Sequence, residues 1–178
     1  LCDLKEFSLQ DHNALESLYN NTYPHAPYHS EHKMNFFRSR FALRESLKRL
    51  DYSLDYDVLV LQDFHFLKKF PEIKISVSHT QECAMSLVTI NPLIKSLGCD
   101  IEKKLRPYSS AIEKKIGAKT LEEWTLKEAC YKALTLSHKT VMAKDIELKN
   151  NSFHYQGTRG EIVSLPHSTY FISIAFIF

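Results

Sequence analysis

Tyr170 to Phe178 reads Tyr-Phe-Ile-Ser-Ile-Ala-Phe-Ile-Phe, apolar on both alternating sides of a strand. A strand with no wet face must lie inside a sheet or between sheet and helix. Cys83 to Ile90 has the same two-sided character, and Leu97 to Ile101 reads as a further short strand. Such strands need helices to cover them, and two stretches supply them. From about Ser30 to Leu50, the apolar residues Phe36, Leu43, Leu47 and Leu50 recur at helical spacing, with Arg40 on the same line. From Thr120, the residues Leu126, Ala129, Cys130, Ala133 and Leu134 form a second packing face. The pattern predicts an α+β chain.

The remaining elements are weaker. A short helix is expected near Asp11 to Tyr19, then a turn around Pro24 to Pro27 flanked by His25 and His29, whose spacing fits no metal motif. Val58 to Leu61 reads as a strand, Phe64 to Pro71 as a loop, and Ile73 to His79 as a strand with Ile73, Ile75, Val77 and His79 on one face. Ser109 to Ile116 reads as a short helix ended by Gly117. Val141 to Leu148 and Phe153 to Tyr155 read as strands, with turns at Asn150-Asn151 and Gly157–Gly160. The two rough halves show no close internal repeat, and the order of their elements does not match.

With 178 residues, 44% of them hydrophobic, the chain can bury one sizeable core, and residues 1–178 read as one domain. A net charge of +2 is too mild to argue for nucleic acid. The longest apolar run is far short of a membrane span and no signal pattern opens the chain, so the expectation is a cytoplasmic protein with no membrane partner. Cys2, Cys83, Cys99 and Cys130 read as small buried residues of a reducing compartment.

The chemistry concentrates between Gly98 and Lys132. In Gly98-Cys99-Asp100-Ile101-Glu102, strand alternation puts Asp100 and Glu102 on one face. Thr120-Leu121-Glu122-Glu123 is a capping-box pattern that starts a helix. In that helix Trp124, Glu128 and Lys132 share a line at steps of four. If strand and helix are neighbours, Asp100, Glu102 and Glu128 surround one hard cation, Mg²⁺ or Mn²⁺, with Lys132 beside it to meet phosphate charge. Taken singly, an Asp-x-Glu at a strand end is more often a solvated edge, and Glu128 with Lys132 an ordinary exposed helix pair.

Gly-x-Asp-x-Glu followed by Trp-Thr-Leu-Lys-Glu-Ala-Cys-Tyr-Lys resembles the paired signature of the 4′-phosphopantetheinyl transferases, closer to the longer two-lobed type than to the short one. The resemblance implies two pseudo-symmetric lobes, about 1–92 and 93–178, each with a helix packed on a small, mostly antiparallel sheet. It implies transfer of the phosphopantetheine arm of coenzyme A to a serine of an apo acyl or peptidyl carrier protein, releasing adenosine 3′,5′-bisphosphate. Asp100, Glu102 and Glu128 match the metal-binding acids, Glu128 also the proposed base, and Lys132 the lysine at the diphosphate. Arg40, Lys68, Ser78, His79, Asp100 and Lys132 match coenzyme A contacts, Lys68 in a loop that reads Leu67-Lys68-Lys69-Phe70-Pro71 where the family often has Gly-Lys-Pro. Two lobes in one chain imply a monomer. The segment 103–123 is shorter than in the longer members and rich in base: Lys103, Lys104, Arg106, Lys114, Lys115 and Lys119 form either a solvated face or a patch that steers an acidic carrier. Two other readings stay open: a metal-dependent nuclease or phosphodiesterase, and a module that binds coenzyme A or carrier protein without transfer.

Overall fold

The two-sided apolar run lies where its composition requires. Strand Tyr170–Ile177 is flanked by Ser96–Lys103 on one side and Thr158–Leu165 on the other, both antiparallel to it. The computed structural model describes residues 2, 3, 8–24, 30–62 and 65–178, so the expected turn histidines His25 and His29 lie outside the described residues, as does Phe64. The fold is α+β, with two antiparallel sheets and several helices. Among the described residues, no helix is long and apolar enough to cross a membrane.

The chain divides into two compact units, Leu1–Val88 and Thr89–Phe178. The first contains β1 (Cys2–Asp3), α1 (Leu9–Thr22), α2 (Ser30–Lys48), β2 (Leu61–Gln62), β3 (Phe66–Leu67), β4 (Phe70–His79) and β5 (Cys83–Thr89), in the sheet order β1-β5-β4-β3-β2. The second contains β6 (Ser96–Lys103), α3 (Ser110–Ile116), α4 (Leu121–Leu134), β7 (Glu147–Lys149), β8 (Ser152–Tyr155), β9 (Thr158–Leu165) and β10 (Tyr170–Ile177), in the order β6-β10-β9-β8-β7. Numbered within its own unit, each sheet runs first, fifth, fourth, third, second, and each unit has two helices between its first and second strands. The sequence reading of differently ordered halves is therefore corrected: the connectivity is the same. β1, β2 and β3 span only two residues each, too few for any periodicity to register.

Other expectations shift for local reasons. In place of a strand over Val58 to Leu61 there is a 3-10 turn at Tyr56–Val58 followed by β2. The expected loop up to Pro71 contains β3 and the start of β4. The stretch from Val141 splits into a 3-10 turn at Ala143–Asp145 and the short β7. β9 replaces the end of the expected Gly157–Gly160 turn. The reversal is a two-residue hairpin at Gln156 (φ 45°) and Gly157 (φ 83°), between partners Tyr155 and Thr158. Gly160 lies inside β9, under the Phe153 ring.

In the first unit, α1 and α2 are tied by one carboxylate. Asp11 Oδ2 accepts from the Ser8 backbone N–H (3.1 Å) and hydroxyl (2.6 Å), closing a capping box, while Oδ1 accepts from Arg44 Nη1 (2.9 Å) and the Tyr56 hydroxyl (3.0 Å). Arg44 also stacks on Tyr56 at 4.6 Å. Burial alone would raise the Asp11 pKa; the Ser8 and Tyr56 hydrogen bonds and the Arg44 charge outweigh it and hold the carboxyl below its usual 3.8. The lowered value means that Asp11 contributes stability above pH 3.8, and that this contribution is lost as pH falls through the range below. Asp11→Ala is expected to cost about 2–3 kcal/mol in urea unfolding at neutral pH, with a smaller difference at pH 3. Equal midpoints at neutral pH would show that the network contributes nothing.

Candidate functional site

α4 is seated on β6 by shape. Gly98 leaves so little space that a Cβ there would stand 2.0 Å from the Ala129 carbonyl oxygen and 2.7 Å from the Ala133 nitrogen. Ala129, Cys130, Ala133 and Leu134 are buried on this face with Ala175 and Ile177 of β10. Ser96 Oγ donates to the Ala133 carbonyl at 2.7 Å, fixing the height of the helix along the strand. At the other end, Thr120 caps α4 by accepting from the Glu123 N–H (3.1 Å). The reciprocal bond of the expected capping box is displaced by one residue, since Glu123 Oε2 accepts from the Lys119 N–H (2.7 Å).

This docking puts the two motifs in contact. Asp100 and Glu102 are both buried on β6, and Lys132 Nζ donates to Asp100 Oδ1 at 2.8 Å and to the Cys99 carbonyl at 3.0 Å. Burial by itself would lower the Lys132 pKa, but the charge and hydrogen bond of Asp100 and the charge of Glu128 raise it above the usual 10.5, so the ammonium stays charged. Glu102 pairs with Arg106, Nη1 to Oε1 at 2.5 Å. Burial raises the Glu102 pKa above its usual 4.5, and the bond and charge of Arg106 offset part of that rise. Arg106 lies 4.5 Å from the centroid of the Trp124 ring, and Trp124 Nε1 donates to Glu128 Oε1 at 3.3 Å. Arg106 thus belongs to the site, and its place in a basic stretch gave no signal of it. The other lysine of the helix motif, Lys127, is buried and donates to the carbonyls of Ile116 (3.3 Å) and Gly117 (3.0 Å), which pins the end of α3 to α4.

By donor type the cluster suits a hard divalent ion: three carboxylates and no sulfur or imidazole. Asp100 and Glu102 share a face, and the Glu128 charge reaches Lys132. As placed, each acid is engaged by a group of the chain, and among the described residues no three His, Cys, Asp or Glu side chains converge at metal-binding distance. Mg²⁺ or Mn²⁺ fits the residues in chemistry and charge and would compete with Lys132, Arg106 and Trp124 for them.

The other expected contacts lie in the first unit. Arg40, on α2, is buried against the Phe36 ring at 4.6 Å, its Nε has no hydrogen-bond partner, and burial lowers its pKa to about 10, with Tyr23 acting in the opposite direction. A desolvated guanidinium of this kind is costly unless an anion meets it. Lys68 is exposed in the β3–β4 turn, Ser78 is buried near the end of β4, and His79 is the exposed last residue of that strand. Cys83, Cys99 and Cys130 are buried free thiols, and burial pushes the Cys130 pKa up, which leaves it unreactive. No protein-family model matches the chain, and no curated protein is similar enough to count as a relative.

Proposed function

We propose that the chain is a Mg²⁺-dependent 4′-phosphopantetheinyl transferase, acting on coenzyme A and an apo acyl or peptidyl carrier protein. The observation that carries this reading is the seating of the Trp-Thr-Leu-Lys-Glu-Ala-Cys-Tyr-Lys helix on the Gly-Cys-Asp-Ile-Glu strand, with Lys132 2.8 Å from Asp100. Two motifs separated by about twenty residues meet in one cluster of three acids and two cations. The repeated strand order of the two units adds support, because it fits a two-lobed chain.

In this reading Asp100, Glu102 and Glu128 hold the metal, which when bound neutralises the diphosphate of coenzyme A. Lys132, kept protonated by Asp100 and Glu128, meets the negative charge that develops on the phosphate oxygens. Glu128 takes the proton of the carrier serine hydroxyl, directly or through one water. The serine oxygen bonds to the phosphorus bearing the pantetheine arm, the bond from that phosphorus to the bridging oxygen breaks, and adenosine 3′,5′-bisphosphate leaves with the electron pair. No covalent intermediate on the protein is needed. Arg40, Lys68, Ser78 and His79 are proposed coenzyme A contacts; for Arg40 the support is a buried cation whose Nε has no partner.

The test is the intact mass of purified apo carrier proteins after incubation with the chain, coenzyme A and Mg²⁺, beside an Asp100→Asn control. A phosphopantetheine-sized gain that needs Asp100 is the expected result. No gain on any carrier, with coenzyme A binding verified separately, would replace transfer by a binding role.

A further inference from the structure

Two side chains, Arg106 and Trp124, connect Glu102 to Glu128. Arg106 grips Glu102 at 2.5 Å while its guanidinium covers the Trp124 ring, whose N–H holds Glu128. The turn after β6 sets this up: the Arg106 N–H bonds to the Lys103 carbonyl at 2.9 Å, folding the arginine back over its own strand. Glu102 is 12% exposed at its side chain and Arg106 46%, so the arginine's departure into water is cheap, whereas the carboxylate stays inside and needs a cation.

We propose that Arg106 is a resident counter-ion of Glu102, which a divalent cation must displace, and that it thereby sets the metal affinity of the site. This rests on the transferase reading only in assigning the acids to a metal. Arg106 is a positioning residue: it acts through Glu102 and Trp124. Because a half-exposed ion pair is weak, its removal should tighten metal binding by roughly two- to fivefold.

The experiment uses the full chain and Mn²⁺, followed by the loss of the free-ion electron paramagnetic resonance signal, with and without coenzyme A. Arg106→Gln is expected to bind Mn²⁺ two- to fivefold more tightly, and Glu102→Gln more weakly; in a Glu102→Gln background Arg106→Gln should then have no effect. Trp124 is the single tryptophan of the chain and gives a second readout. Mg²⁺ should change its emission more in the unsubstituted protein, where the guanidinium leaves the ring and the Trp124–Glu128 bond is disturbed, than in Arg106→Gln, where only that bond is. Unchanged or weaker Mn²⁺ binding by Arg106→Gln, in a chain that does bind Mn²⁺, overturns the counter-ion role and leaves the metal site standing. No binding by any variant, with or without coenzyme A, overturns both.

Discussion

Gly98→Ala is expected to unfold the second unit or to leave it far less stable, by at least about 3 kcal/mol. The added methyl would stand 2.0 Å from the Ala129 oxygen and 3.1 Å from its carbon, with the Ala133 nitrogen at 2.7 Å. All three are backbone atoms of α4, so no side-chain rotation relieves the clash; the helix itself must lift. Lifting it separates Ala129, Cys130 and Ala133 from Ala175 and Ile177 and breaks the bond from Ser96 Oγ to Ala133. Gly157→Ala is the matched control. Nothing lies within 4 Å of its Cβ position, and only its φ of 83° opposes the change, a penalty of about 1 kcal/mol. Thermal unfolding of both variants checks this. A Gly98→Ala protein that melts with the unsubstituted chain would mean that α4 does not sit on β6 as described.

That glycine shows what the sequence carried and what it hid. Gly98 stands in the strand motif for packing, and the motif acids are functional candidates because the packing brings Lys132 within reach of Asp100. Strand alternation and helix spacing were enough to put Asp100 and Glu102 on one face and Glu128 and Lys132 on one line, and to identify β10 as an inner strand. β9 escaped because its period was blurred: Val163 and Leu165 point outward, 43% and 41% exposed, and of the inward positions Gly160 has no side chain of its own, its space filled by Phe153. The hairpin before it begins with Gln156 in a left-handed conformation, where Asn or Asp would have signalled the turn. Arg106 was hidden differently. Its partners Glu102 and Trp124 are 4 and 18 residues away, and nothing in a run of basic residues distinguishes the one that folds back. Long-range pairing of this kind depends on the turn after β6 and on the seating of α4, which no local pattern encodes.

Glu128→Gln should separate chemistry from folding more cleanly than any other substitution in the cluster. The hydrogen bond from Trp124 to Glu128 Oε1, at 3.3 Å, is one that a glutamine carbonyl accepts equally well. Glu128 is only half-buried, and its neighbours Ala129 and Cys130 carry the packing, so the melting temperature is expected to move by no more than about 2 °C. Asp100→Asn lacks this separation, since it removes the charge opposite Lys132 as well as a proposed metal ligand. Under the proposed transfer, turnover should fall by roughly 10²–10⁴-fold in Glu128→Gln, because an amide neither accepts a serine proton nor supplies a negative ligand. Coenzyme A binding in the absence of metal should change little, which distinguishes a lost base or ligand from a lost binding pocket. Transfer at the unsubstituted rate would remove Glu128 from the reaction and leave Asp100, Glu102 and Lys132 to account for any activity the chain has.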